Sequence, residues 1–218
     1  ADAVPNFEPT PANLFTPVAG PQQSFRSEQS LLFGASTTAS GEASGLEMPV
    51  MTPEEISEVA ESTFLDFWRA TQGCNGSMMY STIADAHSSS WANWAMNDMS
   101  SEPRIAWNND PSYARGSVTL EPWTSAYTAI EKGIRVRQAL DRIPPSEFES
   151  AGISPERLDA FVSFTTGLAY GHLSSLYDQA FILDIDTNLH DWENGEAGLA
   201  PSEYSAVHQK ALDAFSNA

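Results

Sequence analysis

Residues 154–178 have the sequence SPERLDAFVSFTTGLAYGHLSSLYD, and this stretch decides the fold class. Ser154 is a typical helix N-cap residue, and Pro155 follows at the first helical position, where its missing N–H costs nothing. Apolar and small side chains then recur at the spacing of a helix, at Leu158, Phe161, Val162, Thr165, Leu168, Ala169, His172 and Leu176. This spacing predicts an amphipathic helix, on which a neighbouring helix is expected to pack closely against small residues at Gly167, Ala169, Gly171 and Ser174.

An earlier helix is predicted from a start signal at Thr52, Pro53 and Glu55. These residues supply a capping hydroxyl, a proline at the first helical position and a carboxylate three residues after the cap. Apolar residues continue at helical spacing, and glycines from Gly73 onwards end the pattern. The apolar set is expected to form the buried side of this helix, at Ile56, Val59, Ala60, Phe64, Phe67 and Trp68.

Three more helices are predicted along the chain. Residues 78–99 favour a helix with an irregular centre, and another helix is expected from about Glu121 until just before Pro144. A last helix is expected from about Pro201 to the end. Residues 51–218 are therefore predicted to form a mainly α domain of about five helices, a tetratricopeptide-like α-solenoid.

Residues 1–50 differ in composition from the predicted helical domain. The first 24 residues contain five prolines, which exclude helix interiors and central strands, and residues 34–45 are a run of small residues typical of a flexible loop. We expect an extended proline-rich arm followed by a loop. The apolar side chains of the arm are expected to lie against the body of the same chain or against a neighbouring copy, and the candidate assembly residues are Phe7, Leu14, Phe15 and Val18.

The charge of the chain excludes some classes of partner. The 218 residues contain 29 acidic and 10 basic side chains, with a net charge of −19. Such a chain cannot neutralise phosphates, so we expect no nucleic-acid partner. The chain has no apolar run near the ~20 residues that span a bilayer, so direct membrane insertion is not expected. The opening Ala-Asp-Ala suits a processed mature end and also a trimmed chain. The scarcity of lysine and the richness in Ser, Thr, Asn and Gln favour an exported protein, at the cell surface or extracellular.

Tryptophans in predicted loops are candidate platforms for stacking against sugar rings. Trp91, Trp94, Trp107 and Trp192 lie in or near loops, whereas Trp68 and Trp123 fall on predicted apolar faces. The first four are therefore the candidate ligand-binding residues, with a glycan as the expected ligand.

Oxygen-bearing side chains alternate after the long helix. Asp184, Asp186 and Asn188 have the spacing with which calcium loops begin, so Ca²⁺ is a candidate cofactor, although the stretch departs from an EF-hand after Asn188 and a solvated acidic loop is the alternative. Asn75 begins an Asn-Gly-Ser acceptor for N-glycosylation. Cysteine, histidine and serine residues do not form a recognisable catalytic motif, so we predict that the protein is not an enzyme and has no catalytic residues.

Several stretches resemble one known family. The segment VPNFEPTPANL at residues 4–14 resembles the family's Asn/Pro-rich N-terminal segment. Residues 123–143, WTSAYTAIEKGIRVRQALDRI, and residues 158–178 resemble two of its helices, and residues 201–215 resemble a later short helix. On these stretches the chain resembles the N-terminal helical part of SusD/RagB-type outer-membrane nutrient-uptake proteins.

This resemblance implies a tetratricopeptide-like scaffold without catalytic activity. It further implies a cell-surface protein that captures glycans or peptides for a TonB-dependent outer-membrane channel, which would be its partner. The alternative hypothesis is a structural subunit of an extracellular homopolymer, in which the N-terminal arm joins copies of the chain into a filament.

Overall fold

The computed structural model describes residues 51–72, 80–82, 84, 86, 95–101, 108, 110 and 112–218. This part of the chain is mainly helical, which confirms the prediction of a mainly α fold. Residues 1–50, with the predicted arm and loop, lie outside the described residues. None of the described helices combines the length and the hydropathy needed to cross a bilayer.

Helix α1 spans Pro53–Gln72 and begins with the predicted capping box. The N–H of Glu55 donates to the Thr52 hydroxyl at 3.3 Å, and the N–H of Thr52 donates to the Glu55 carboxylate at 2.8 Å. This reciprocal pair satisfies two backbone donors at the start of the helix. The predicted start of α1 is therefore confirmed.

The second predicted helix is only partly described. Residues 80–82 are helical, and a short helix, α2, spans Met96–Met99. Ala95, just before α2, has a φ of 57°, in the left-handed region. The side chains of Ala95, Met99 and Val118 form a small buried cluster that ties α2 to the start of the next helix.

Helix α3 spans Ser117–Arg142 and starts earlier than predicted. The sequence predicted a start near Glu121 and Pro122, but Pro122 lies inside the helix. An extra turn precedes it because Val118 is buried against Ala95 and Met99, a contact that local sequence signals do not reveal.

Two short helices were not predicted. Helix α4, Pro145–Ser150, follows α3 directly and buries Phe148, and helix α6, Leu189–Asn194, lies within the acidic connector after the long helix. Asn188 caps α6 by accepting from the N–H groups of His190 and Asp191.

The stretch that decides the fold forms helix α5, Pro155–Leu176. Ser154 is its N-cap and accepts from the N–H of Arg157 at 3.2 Å, as predicted. After α5, strand β1, Gln179–Ala180, pairs antiparallel with strand β2, Ser202–Glu203. Helix α7, Tyr204–Ser216, follows β2 and packs back on α5.

The four long helices pack in a regular order. Helix α3 packs against α1 and α5, α5 packs against α7, and α1 also touches α5. Beneath these contacts lie two buried clusters, one around Tyr127, Tyr170 and Trp192 and the other around Ile56 and Phe148. Helix α5 therefore lies between α1 and α7, with α3 behind it.

Candidate functional site

Helix α1 exposes a second apolar stripe beside the one that it buries. Ile56, Ala60 and Thr63 face the core, whereas Leu65 is 56% exposed and Trp68 is 54% exposed. Phe64, one turn before Trp68, is also exposed. None of these three side chains belongs to the buried clusters of the described residues.

Helix α5 continues this surface on the neighbouring helix. Phe161 and Phe164 are exposed and Leu168 is half-buried, at the i, i+3 and i+7 spacing that places side chains on one face. Residues 160–177 contain no Asp, Glu, Lys or Arg, so no charged group of α5 interrupts this face.

Helix α7 extends the surface on the other side of α5. The ring centroids of Phe164 and Phe215 are 5.9 Å apart. A Cβ at Gly167 would lie 2.7 Å from the Phe215 ring, so the absence of a side chain there lets Phe215 lie on the backbone of α5. Leu212, one turn before Phe215, is 46% exposed.

The two helix junctions hold these stripes together. The hydroxyl groups of Thr63 on α1 and Thr165 on α5 lie 3.0 Å apart in the buried junction, and the Phe164–Phe215 contact joins α5 to α7. We name the resulting surface the apolar face, and its residues are Phe64, Leu65, Trp68, Phe161, Phe164, Leu212 and Phe215.

The five aromatic rings of the apolar face expose on the order of 400 Å² in total, taking ~200 Å² for each whole side chain. This area is comparable to the largest apolar patch on a typical monomeric protein, and such patches are often functional. The face is therefore the candidate functional site.

A salt bridge under the face fixes the position of α1. Asp66, which is buried, accepts from Lys132 of α3 at 2.6 Å and from Arg69 of α1 at 3.0 Å. Because a buried carboxylate is costly without a partner, this contact orients α1 on α3 and holds Phe64 and Trp68 outward.

A hydrogen-bonded pair lies beside the junction of α1 and α5. The Tyr80 hydroxyl and His172 Nε2 are 2.6 Å apart, and Phe67 of α1 makes an edge contact with the imidazole. Burial lowers the pKa of His172 below its ordinary value and raises the pKa of Tyr80 above its own. Both groups are therefore neutral near pH 7, and the pair ties residues 80–82 to α5.

The structure corrects the expectation for Trp192. This side chain is 7% exposed, and its indole N–H donates to the Glu131 carboxylate at 2.6 Å. The ring packs against Tyr127 and Phe181. A ring held in the core in this way has no free surface on which a sugar could stack.

Other candidate residues lie outside the described part of the chain. These are the tryptophans Trp91, Trp94 and Trp107, the glycosylation candidate Asn75, and the assembly candidates Phe7, Leu14, Phe15 and Val18.

Two of the three residues with calcium-loop spacing, Asp184 and Asn188, have other partners in the structure. Asp184 forms an ion pair with Lys210, and its N–H donates to the Thr187 hydroxyl at 2.9 Å. The Asn188 side-chain oxygen caps α6. Within the described residues, no three His, Cys, Asp or Glu side chains gather closely enough to hold a metal ion.

Sequence reasoning missed the apolar face. It assigned Phe64, Trp68 and Phe161 to buried helix sides, and the structure exposes all three. A signal was present, because α1 and α5 have apolar residues over a wider arc than one neighbouring helix can cover.

Comparison with known proteins does not add to this description. No protein-family model, curated protein or solved structure matches the chain. The geometry of the apolar face is therefore the starting point for a functional proposal.

Proposed function

We propose that the chain is a non-enzymatic binding scaffold of SusD-like type, which works at the cell surface or outside the cell and associates with a TonB-dependent channel in nutrient uptake. Its helices form a tetratricopeptide-like α-solenoid in this proposal. The packing order α1, α3, α5 and α7, in which each helix lies on the one before it, supports that architecture.

The observation behind the proposal is the apolar face. It offers aromatic and aliphatic surface across three helices, and its central helix has no charged side chain between residues 160 and 177. Burial of apolar area, and not hydrogen bonding, is what such a surface contributes to an interface. That chemistry suits a polypeptide partner such as the channel protein, and a captured glycan would bind elsewhere, with Trp91, Trp94 and Trp107 as candidates.

Photo-crosslinking in the source cells tests this function. A photo-reactive phenylalanine analogue replaces Phe164 at the centre of the apolar face, and the matched control carries it at Asp141, an exposed position in the last turn of α3. We expect irradiation to attach the Phe164 variant to a TonB-dependent channel protein, identified by mass spectrometry. The Asp141 variant should give no such adduct. Absence of any adduct at position 164 would contradict the proposal.

The second candidate function is a structural subunit of an extracellular homopolymer. The same apolar face favours it, because a face on one copy could receive the apolar residues of another copy's N-terminal arm. In the crosslinking experiment this function predicts an adduct between two copies of the chain. A Phe164 adduct with the channel protein alone would exclude it.

A further inference from the structure

We propose that residues 9–25 of the same chain dock on the apolar face. This inference rests on the proposed function, in which the face binds a polypeptide segment, and it names that segment. In the free protein the face is then covered by the chain's own N-terminal region, and a partner must displace it.

The chemistry of residues 9–25 fits an apolar surface. The segment PTPANLFTPVAGPQQSF contains no charged side chain and presents apolar groups that include Leu14, Phe15 and Val18. Four of its residues are prolines, which have no backbone N–H. Burial against aromatic rings therefore leaves fewer backbone donors without a partner than burial of an ordinary segment would.

The length of the intervening chain also fits. Twenty-five residues, 26–50, connect this segment to Met51, and a flexible chain of that length has a root-mean-square span of about 25–30 Å. Trp68 lies about 22 Å along α1 from its first residue, at 1.5 Å per residue. Because the span matches the distance, the segment reaches the face at an effective concentration of about millimolar.

Charge disfavours a second copy of the body as the occupant. Residues 51–218 contain 24 of the 29 acidic and 9 of the 10 basic side chains, which gives a net charge of 24 − 9, or −15. Two such bodies repel each other when their faces meet, whereas the uncharged segment adds no repulsion. Charge therefore favours residues 9–25 over a second body as the occupant, and the tether favours the segment of the same chain over that of another copy.

Hydroxyl-radical footprinting of the purified full chain tests the inference. The oxidation rates of Trp68 and Phe164 are measured by mass spectrometry in the wild type and in the double variant Leu14→Asp/Phe15→Asp, whose carboxylates oppose docking on an apolar face. The control variant, Thr38→Asp/Ser40→Asp, adds the same charge outside residues 9–25. All rates are divided by the intrinsic reactivity of the residue type, and Tyr204, which is exposed and outside the face, gives the normalised rate of an exposed side chain in every sample.

We expect the Leu14→Asp/Phe15→Asp variant to oxidise faster at Trp68 and Phe164 by about twofold or more, as a mostly covered face becomes mostly open. The control variant should match the wild type. Rates at the face that are already as high in the wild type as at Tyr204 would overturn the inference and leave the face free for the proposed partner.

Protection that is equal in all three proteins would also overturn it. If that protection disappears on dilution, the body of a second copy covers the face. Docking of another copy's arm, as the homopolymer function requires, would instead give faster oxidation in the Leu14→Asp/Phe15→Asp variant together with wild-type protection that disappears on dilution, and that result would also overturn the inference. If it persists on dilution, another part of the chain covers the face. These results concern the free protein, so the crosslinking experiment in cells judges the proposed function separately.

Discussion

At the scale of single residues, two buried tyrosines position the segment after α5. The Tyr127 hydroxyl donates to the carbonyl of Phe181 at 2.9 Å and accepts from the same residue's N–H at 2.6 Å. Tyr170 makes the corresponding pair with Leu183, at 3.1 and 2.8 Å. Burial raises the pKa of both phenols above their ordinary value, so they stay protonated and can donate. These bonds satisfy backbone groups that would otherwise need a neighbouring strand.

Removing either hydroxyl group should destabilise the fold. We expect Tyr127→Phe and Tyr170→Phe each to lower the free energy of unfolding by about 1–3 kcal/mol, because each leaves a buried N–H and a buried C=O without a partner. Urea denaturation followed by circular dichroism measures the change. Tyr204→Phe, at a side chain that is 57% exposed, is the control and should stay within about 0.5 kcal/mol. Equal effects at all three positions would contradict this account.

His172 should make stability depend on pH. Burial lowers its pKa below the ordinary value of 6.5, so in mildly acidic solution the unfolded chain binds a proton that the folded chain does not. Stability is therefore fully present above pH 6.5 and falls as the pH drops below it. We expect His172→Gln to flatten the plot of unfolding free energy against pH between about 5 and 7. An unchanged slope in the variant would show that His172 is not responsible.

At the scale of elements, close helix packing depends on single glycines in α5. A Cβ at Gly167 would lie 2.7 Å from the Phe215 ring, whereas a Cβ at Gly171 would lie 3.9 Å from Ala211, an ordinary contact. Of the small residues predicted to allow close packing, Gly167 has no room for a side chain, whereas Gly171 has room for one. Only the Gly167 position brings an aromatic ring of α7 onto the backbone of α5.

The two glycines form a matched pair for substitution. Gly171→Ala should stabilise the protein by up to about 1 kcal/mol, because alanine favours a helix and space is available. Gly167→Ala gains the same helix propensity but must displace Phe215, so we expect a net loss of about 1–3 kcal/mol. Thermal denaturation compares them. Similar stabilisation by both substitutions would mean that Phe215 moves away from position 167 without a cost in stability.

Local signals in the sequence predict the helix starts that depend on local contacts. The capping box at Thr52 and the Ser154 cap need only neighbouring residues, and both were predicted. Helix α4 depends on burial of Phe148 beside Ile56, and α6 on the contact of Trp192 with Glu131. Those partners are far apart in the sequence, so apolar periodicity did not reveal these short helices, although Asn188 offered a local cap for α6.

At the scale of the whole molecule, the core and the apolar face use the same residue types. Periodicity identifies which side of α1 or α5 is apolar but does not show which neighbouring helix covers it. For this reason the sequence predicted Phe64, Trp68 and Phe161 as buried, and the candidate site emerged only from the packing of α1, α5 and α7.

Substitution can separate the face from the core. We expect Trp68→Gln and Phe164→Gln to change the free energy of unfolding by less than about 1 kcal/mol each, because neither side chain belongs to the two buried clusters that hold the helices together. Phe148→Ala should cost about 3–5 kcal/mol, since its side chain is fully buried. Chemical denaturation measures the free energy of unfolding of the three variants and of the wild type. If Trp68→Gln lowered the free energy of unfolding as much as Phe148→Ala, the apolar face would be part of what stabilises the fold.

The proposed binding scaffold and the alternative, a self-assembling subunit, differ in their oligomeric state. Size-exclusion chromatography with light scattering on the undenatured full chain tests this difference most directly, over a range of protein concentrations. A binding scaffold is expected to be a monomer near 23.7 kDa at every concentration. A large homopolymer would contradict the account and favour the filament.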